Sequence, residues 1–149
     1  MAVLLAGLSL HELGHVLAVW MTGGRITEWV VFSLTPHVRT AGSCGNSQEA
    51  FRAAAGSALV LLLVFAFLPW RPVRGYVWQF VQDIAFWFAM VEVAGWVLCS
   101  LFPRESGPND AARFLEVSGM SRFAVAGVCA AVGSIAVLCL RLGFREQKV

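Results

Sequence analysis

Leu8 to Trp20, LSLHELGHVLAVW, sets two histidines and a glutamate inside a run that is otherwise apolar. Read as a helix, the run puts His11 and His15 within about 40° of each other and about 6 Å apart along the axis. Both imidazoles can then reach one metal ion. Glu12 falls about 60° around from His15, close enough to hold a water without being a ligand. These are the features of H-E-x-x-H, in which the histidines bind zinc and the glutamate acts as general base. The competing reading makes the histidines structural. Against it, an ionisable side chain at mid-bilayer costs roughly 2.5–3.5 kcal/mol on insertion scales, so such residues are seldom idle there.

Composition says that the surroundings are apolar enough for that cost to apply. Of 149 residues, 58% are hydrophobic and 13% charged, with a mean hydropathy of +0.73. Soluble domains run near a quarter charged. The length suits a single domain, 1–149. Four stretches, approximately 1–21, 50–69, 76–102 and 121–141, each reach the roughly 20 residues that a spanning helix needs. Trp20, Trp70 and Trp78 lie near segment ends, as interfacial residues do. The expectation is an all-α polytopic protein, integral to the membrane and multi-pass, with about four transmembrane helices.

Between the first two stretches the texture changes. Ile26 to Thr35 is rich in β-branched and aromatic residues, and Pro36 separates it from a second run, His37 to Thr40. That predicts a strand or small hairpin at the membrane surface. Pro69, Pro72 and Gly75 mark a turn, and Pro103, Gly107 and Pro108 break the chain after the third stretch. Ala111 to Ser118 reads as a short helix, with Asn109 as N-cap and Gly119 as its stop. A net charge of +2 makes no case for a nucleic-acid partner. Cys44, Cys99, Cys129 and Cys139 lack C-x-x-C spacing, and three sit in apolar runs, where they read as small packed hydrophobes. The N-terminus has no basic n-region, which predicts no removable signal peptide. The basic residues divide almost evenly between the two sides, so the positive-inside rule sets no orientation.

Two histidines leave zinc short of a third protein ligand. Asp110 lies just after the third stretch, Glu92 lies within it, and His37 sits in the strand-rich loop. The residues by themselves leave these three open. Glu92 also reads as a buried carboxylate bonded to a neighbouring helix, and His37 as a loop histidine.

HELGH in a first apolar helix resembles the signature of the site-2 protease family of intramembrane zinc metalloproteases. The family's second signature is asparagine, two apolar residues and proline, then a loop, then Leu-Asp-Gly and an arginine. Ser100-Leu-Phe-Pro-Arg-Glu-Ser-Gly-Pro-Asn-Asp-Ala-Ala-Arg113 is similar to it in order, with Ser100, Asn109 and Ala111 at positions where the family has other residues. Gly23-Gly24-Arg25-Ile26 resembles the family's strand-forming loop, and Ala55-Gly56-Ser57-Ala58 stands where it has a Gly-Pro-rich motif. The resemblance implies that Asp110 is the third ligand to one zinc ion, beside His11 and His15. Arg113, Ser100 and Glu92 are further candidates to orient a ligand or touch substrate. Arg113 either bonds the Asp110 carboxylate or anchors at the headgroups.

The function implied is hydrolysis of peptide bonds in a membrane-embedded protein or peptide, with Glu12 as general base. Such a substrate must unwind locally, because a helix hides its carbonyls in its own hydrogen bonds. The run Ile26 to Thr35 could then receive it by strand addition. Two other readings compete: an inactive, site-2-protease-like membrane scaffold or chaperone, and a metal transporter. Intact HELGH speaks against the first, and the lack of histidines along the other spans against the second.

Overall fold

A computed structural model describes residues 2–31, 33, 35–67, 76–102 and 109–145. Helix α1 runs Ala2–Met21, strands β1 and β2 run Arg25–Val30 and His37–Ala41, and helices α2 to α5 run Asn46–Phe67, Tyr76–Leu101, Asp110–Ser118 and Arg122–Arg145. The turn around 71–75, with Trp70, and the proline-rich loop 103–108 lie outside the described residues.

The end of α1 is fixed by its glycines. Gly24 N–H bonds Val19 C=O at 2.8 Å and Gly23 N–H bonds Trp20 C=O at 3.1 Å, with Gly23 at φ 69°. This is the paired 6→1 and 5→2 closure that a left-handed residue makes possible. The chain leaves it directly into β1. The two strands pair antiparallel from Arg25↔Ala41 to Val30↔His37, with a register shift between Ile26 and Glu28. Glu28 faces Arg39 across the pair, with an ion pair of 3.1 Å. The extended run expected over Ile26 to Thr35 is therefore strand only to Val30. Helix α4 starts and stops as its sequence suggests. The Asn109 side chain accepts from Ala112 N–H at 2.7 Å, and Gly119 closes the end at φ 66°.

Packing follows small residues. Helix α1 lies against α2 so closely that a Cβ on Gly14 would overlap the Ala55 carbonyl. Helix α3 meets α5 where Gly133 faces Val93, and Phe88 covers Gly7. Val60, Val64 and Ala89 form a buried cluster flanked by Leu61, Ala85 and Phe88. The outward faces of α2 and α3 stay apolar, carrying Leu62, Trp87, Val91 and Leu98 as exposed residues.

The expectation of about four transmembrane helices in an all-α protein is corrected. The chain is mostly helical with a two-stranded sheet, and among the described residues two helical segments are long and apolar enough to cross a membrane, Asn46–Ala66 and Phe80–Leu101. The apolar parts of α1 and α5, Leu5–Met21 and Arg122–Leu138, fall in the 10–17-residue class. The expectation counted 1–21 and 121–141 whole, of which Leu5–Met21 and Arg122–Leu138 are the apolar stretches among the described residues.

Gly14→Ala is expected to push α1 off α2 and to lower stability by about 1–3 kcal/mol, the usual cost of overpacking. The check is the thermal midpoint of the full chain in detergent. Gly95→Ala, at a position with nothing within 4 Å of the added carbon, should leave that midpoint unlowered.

Candidate metal centre

His11 and His15, one helical turn apart on α1, present their rings edge to face at a centroid distance of 4.9 Å. Their Nε2 atoms lie 3.1 Å from each other. Asp110, the first residue of α4, places Oδ2 2.9 Å from His11 Nε2 and 3.1 Å from His15 Nε2. The Asn109 cap starts the helix that presents this carboxylate, 95 residues beyond His15. Burial pushes the Asp110 carboxyl up, but the hydrogen bonds and charge of the two histidines outweigh it and hold the group well below the usual carboxylate range. It stays ionised at neutral pH.

The opposite ring edges decide which nitrogens face inward. His15 Nδ1 lies 2.8 Å from the Arg52 carbonyl, which can only accept, so Nδ1 carries the hydrogen. His11 Nδ1 lies 3.0 Å from Glu92 Oε1. Trp96 Nε1–H donates to Ser57 Oγ at 2.7 Å, and Ser57 donates onward to Glu92 Oε2 at 2.6 Å. An indole N–H cannot accept, so the direction of this chain is fixed and ends on the carboxylate. With both Nδ1 atoms donating outward, both Nε2 atoms face Asp110 Oδ2, and each presents a lone pair when its ring is neutral. Two nitrogens and an anionic oxygen then converge within about 3 Å of one another. Lone pairs so placed repel unless a proton or a cation sits among them.

These three atoms suit zinc. Ligand bonds of 2.0–2.2 Å in a tetrahedron put donor atoms roughly 3.3 Å apart, close to the spacing seen here. Among the described residues, His11, His15 and Asp110 are the group able to hold a metal ion. A Cβ on Gly56 of α2 would stand 2.5 Å from His15 Nε2 and 2.6 Å from His11 Nε2, so the bare backbone makes room for them.

The other expected residues fall elsewhere. Glu92 lies behind His11 with both oxygens engaged, as an orienting partner rather than a third ligand. His37 is on β2, 3.5 Å from Glu28, and is not in the cluster. Arg113 does not bond Asp110. It bonds Glu49 of α2 and Glu116 of its own helix, which clamps α4 onto α2 and holds the guanidinium above its ordinary pKa. Ser100 is fully buried at the end of α3, and its Oγ has no hydrogen-bond partner among the described residues. Sequence reasoning missed Ser57, Trp96 and the Arg52 carbonyl. The one available signal was the i, i+4 spacing of Glu92 and Trp96.

Glu12 is buried at 9% exposure, and no described residue hydrogen-bonds its carboxylate. With His15 and Asp110 it lines a cavity of about 680 Å³, whose other wall is Pro36 to Thr40. The strand facing the cluster is thus β2 and not the Ile26–Thr35 run. Comparisons with protein-family models, with curated proteins and with solved structures gave no match.

Two outcomes are expected when variants are dialysed against zinc and their metal content is measured. Asp110→Ala should lose the ion, and Glu92→Ala should bind it about 10–100-fold more weakly. Zinc kept by the first and lost by the second would reverse the assignment. Gly56→Ala should lose zinc while its helical circular dichroism is retained.

Proposed function

We propose that this chain is a membrane-embedded, zinc-dependent endopeptidase of the site-2 protease type, multi-pass, with α2 and α3 among its crossing helices. The observation that carries the reading is the convergence of His11 Nε2, His15 Nε2 and Asp110 Oδ2 beside a glutamate with no hydrogen-bond partner among the described residues. The apolar outward faces of α2 and α3 support a bilayer setting. A transmembrane protein or peptide is the substrate, and no nucleic acid is involved.

His11, His15 and Asp110 would hold one zinc ion, which supplies Lewis-acid polarisation of a carbonyl and lowers the pKa of a water. Glu12 accepts a proton from the attacking water and returns it to the departing amine nitrogen, so no proton is gained or lost over the cycle. Glu92 and the Arg52 carbonyl hold the two rings in the tautomer with Nε2 facing inward. The free edge of β2, across the cavity, can take an unwound substrate segment into strand pairing, which presents a peptide carbonyl to Glu12.

Glu12→Gln should lower cleavage of a helical membrane peptide by about 10²–10⁴-fold while zinc content stays unchanged. The assay is product formation by the full chain reconstituted with the peptide. A variant that cleaves as well as the parent sinks the peptidase reading. A parent that holds zinc yet cleaves nothing favours the scaffold instead.

A further inference from the structure

Where α1 gives way to the sheet lies a second cavity, of about 300 Å³. Its walls are two arginines, Arg25 and Arg52, two hydroxyl residues, Thr22 and Ser43, and the small residues of two turns. No carboxylate lines it. Gly23 and Gly42, both at positive φ, have nothing within 4 Å of where a Cβ would be, so the walls leave open space.

The two arginines differ from others nearby. Arg39 pairs with Glu28, and Arg113 with Glu49 and Glu116. Among the described residues no carboxylate pairs with Arg25 or Arg52. Arg52 is nonetheless held in place. Its Nε donates to Thr22 Oγ1 at 2.7 Å, and its guanidinium packs over Gly24, while its two terminal nitrogens have no partner among the described residues. A half-buried fork with one nitrogen anchored and two left to donate is preorganised for a bidentate oxyanion. Arg25 supplies a second positive charge at the same cavity.

The location says which oxyanion. Trp20 and Met21, 63% and 77% exposed, form the rim of α1 next to this cavity. A tryptophan at that level marks a membrane–water boundary, where lipid phosphates lie. We propose that the Arg25–Arg52 cavity binds a phosphate group, with the headgroup of an anionic phospholipid as its source. The same residue joins the two cavities. Arg52 lines both, and its carbonyl holds His15 Nδ1, so a phosphate on its side chain steadies the turn of α2 that orients that histidine. The binding itself needs neither zinc nor peptidase activity, so its failure is separable from failure of that reading.

The test equilibrates the full chain with vesicles of phosphatidylcholine and phosphatidylglycerol in equal parts, extracts it in mild detergent, and counts the retained lipids by native mass spectrometry. Phosphatidylglycerol should be enriched by about fivefold for each arginine. Arg25→Ala and Arg52→Gln should each remove about that factor, and Arg122→Ala, remote on α5, should not. Arg25→Ala carries the test if loss of the Thr22 bond unfolds the Arg52 variant. Displacement of the lipid by added inorganic phosphate would assign the site to free phosphate, and resistance to it to the headgroup. Enrichment unchanged in both cavity variants, or lost equally in Arg122→Ala, overturns the proposal.

Discussion

Gly56 lets two imidazoles share one spot on the surface of α2, and most of the architecture is arranged around that approach. Both Nε2 atoms would stand within 2.6 Å of a Cβ there, and Gly14 on α1 keeps the helix backbones close enough for it to matter. Interiors are packed to crystal density and do not give way by an ångström at a helix crossing. The pair Gly14 and Gly56 therefore sets where the histidines stop, and every other group around the cluster meets them at that position. Asp110 comes from α4, Glu92 from α3 and the Arg52 carbonyl from α2, so three further elements are registered against a single helix face.

The charge arrangement has an inner and an outer layer. On the inside, two imidazole Nε2 atoms and a carboxylate oxygen face one another. On the outside, donors and acceptors are matched in one direction, from Trp96 through Ser57 to Glu92, which receives His11 Nδ1–H on its other oxygen. A buried polar chain of this kind is stabilising when each member is satisfied and costly when one is not. Glu92 is satisfied within its network, while Glu12 has no hydrogen-bond partner among the described residues. Two carboxylates on neighbouring helices thus have different capacities: the bonded one orients, and the free one can exchange a proton with whatever enters the cavity.

How much of this could be read from the chain depends on how local each signal is. H-E-x-x-H works within one turn of helix, so the meeting of His11 and His15 is legible from spacing. The caps of α4 are equally local, since Asn109 and Gly119 act on backbone groups three or four residues away. The hairpin is legible in part, because β-branched composition marks a strand but not which strand faces a cavity. The span count is legible for the second and third stretches, which among the described residues are long and apolar enough to cross a membrane. Ser57 meets Glu92 across 35 residues on separate helices, and a small residue in an alanine-rich helix carries no mark of its partner. Arg113 is instructive. An arginine three positions after an aspartate leaves open a local bond to it or a headgroup anchor, and Glu49 from α2 provides a tertiary partner that the sequence does not mark.

A helix that carries Glu92 can still belong in a bilayer, and α3 shows how. Trp87, Val91 and Leu98 cover its outward side, while Glu92, Trp96 and Ser100 fall on the sheltered one. The carboxylate is sheltered, with Ser57 and His11 on its two oxygens. The insertion cost of a charge is thereby turned into a local requirement that α1, α2 and α3 be assembled together. Withdrawing any one of the three leaves an ionisable group short of a partner. The polar network that orients His11 is therefore also a reason for these helices to pack in one arrangement, which ties the geometry of the His11–His15–Asp110 cluster to the stability of the bundle that holds it.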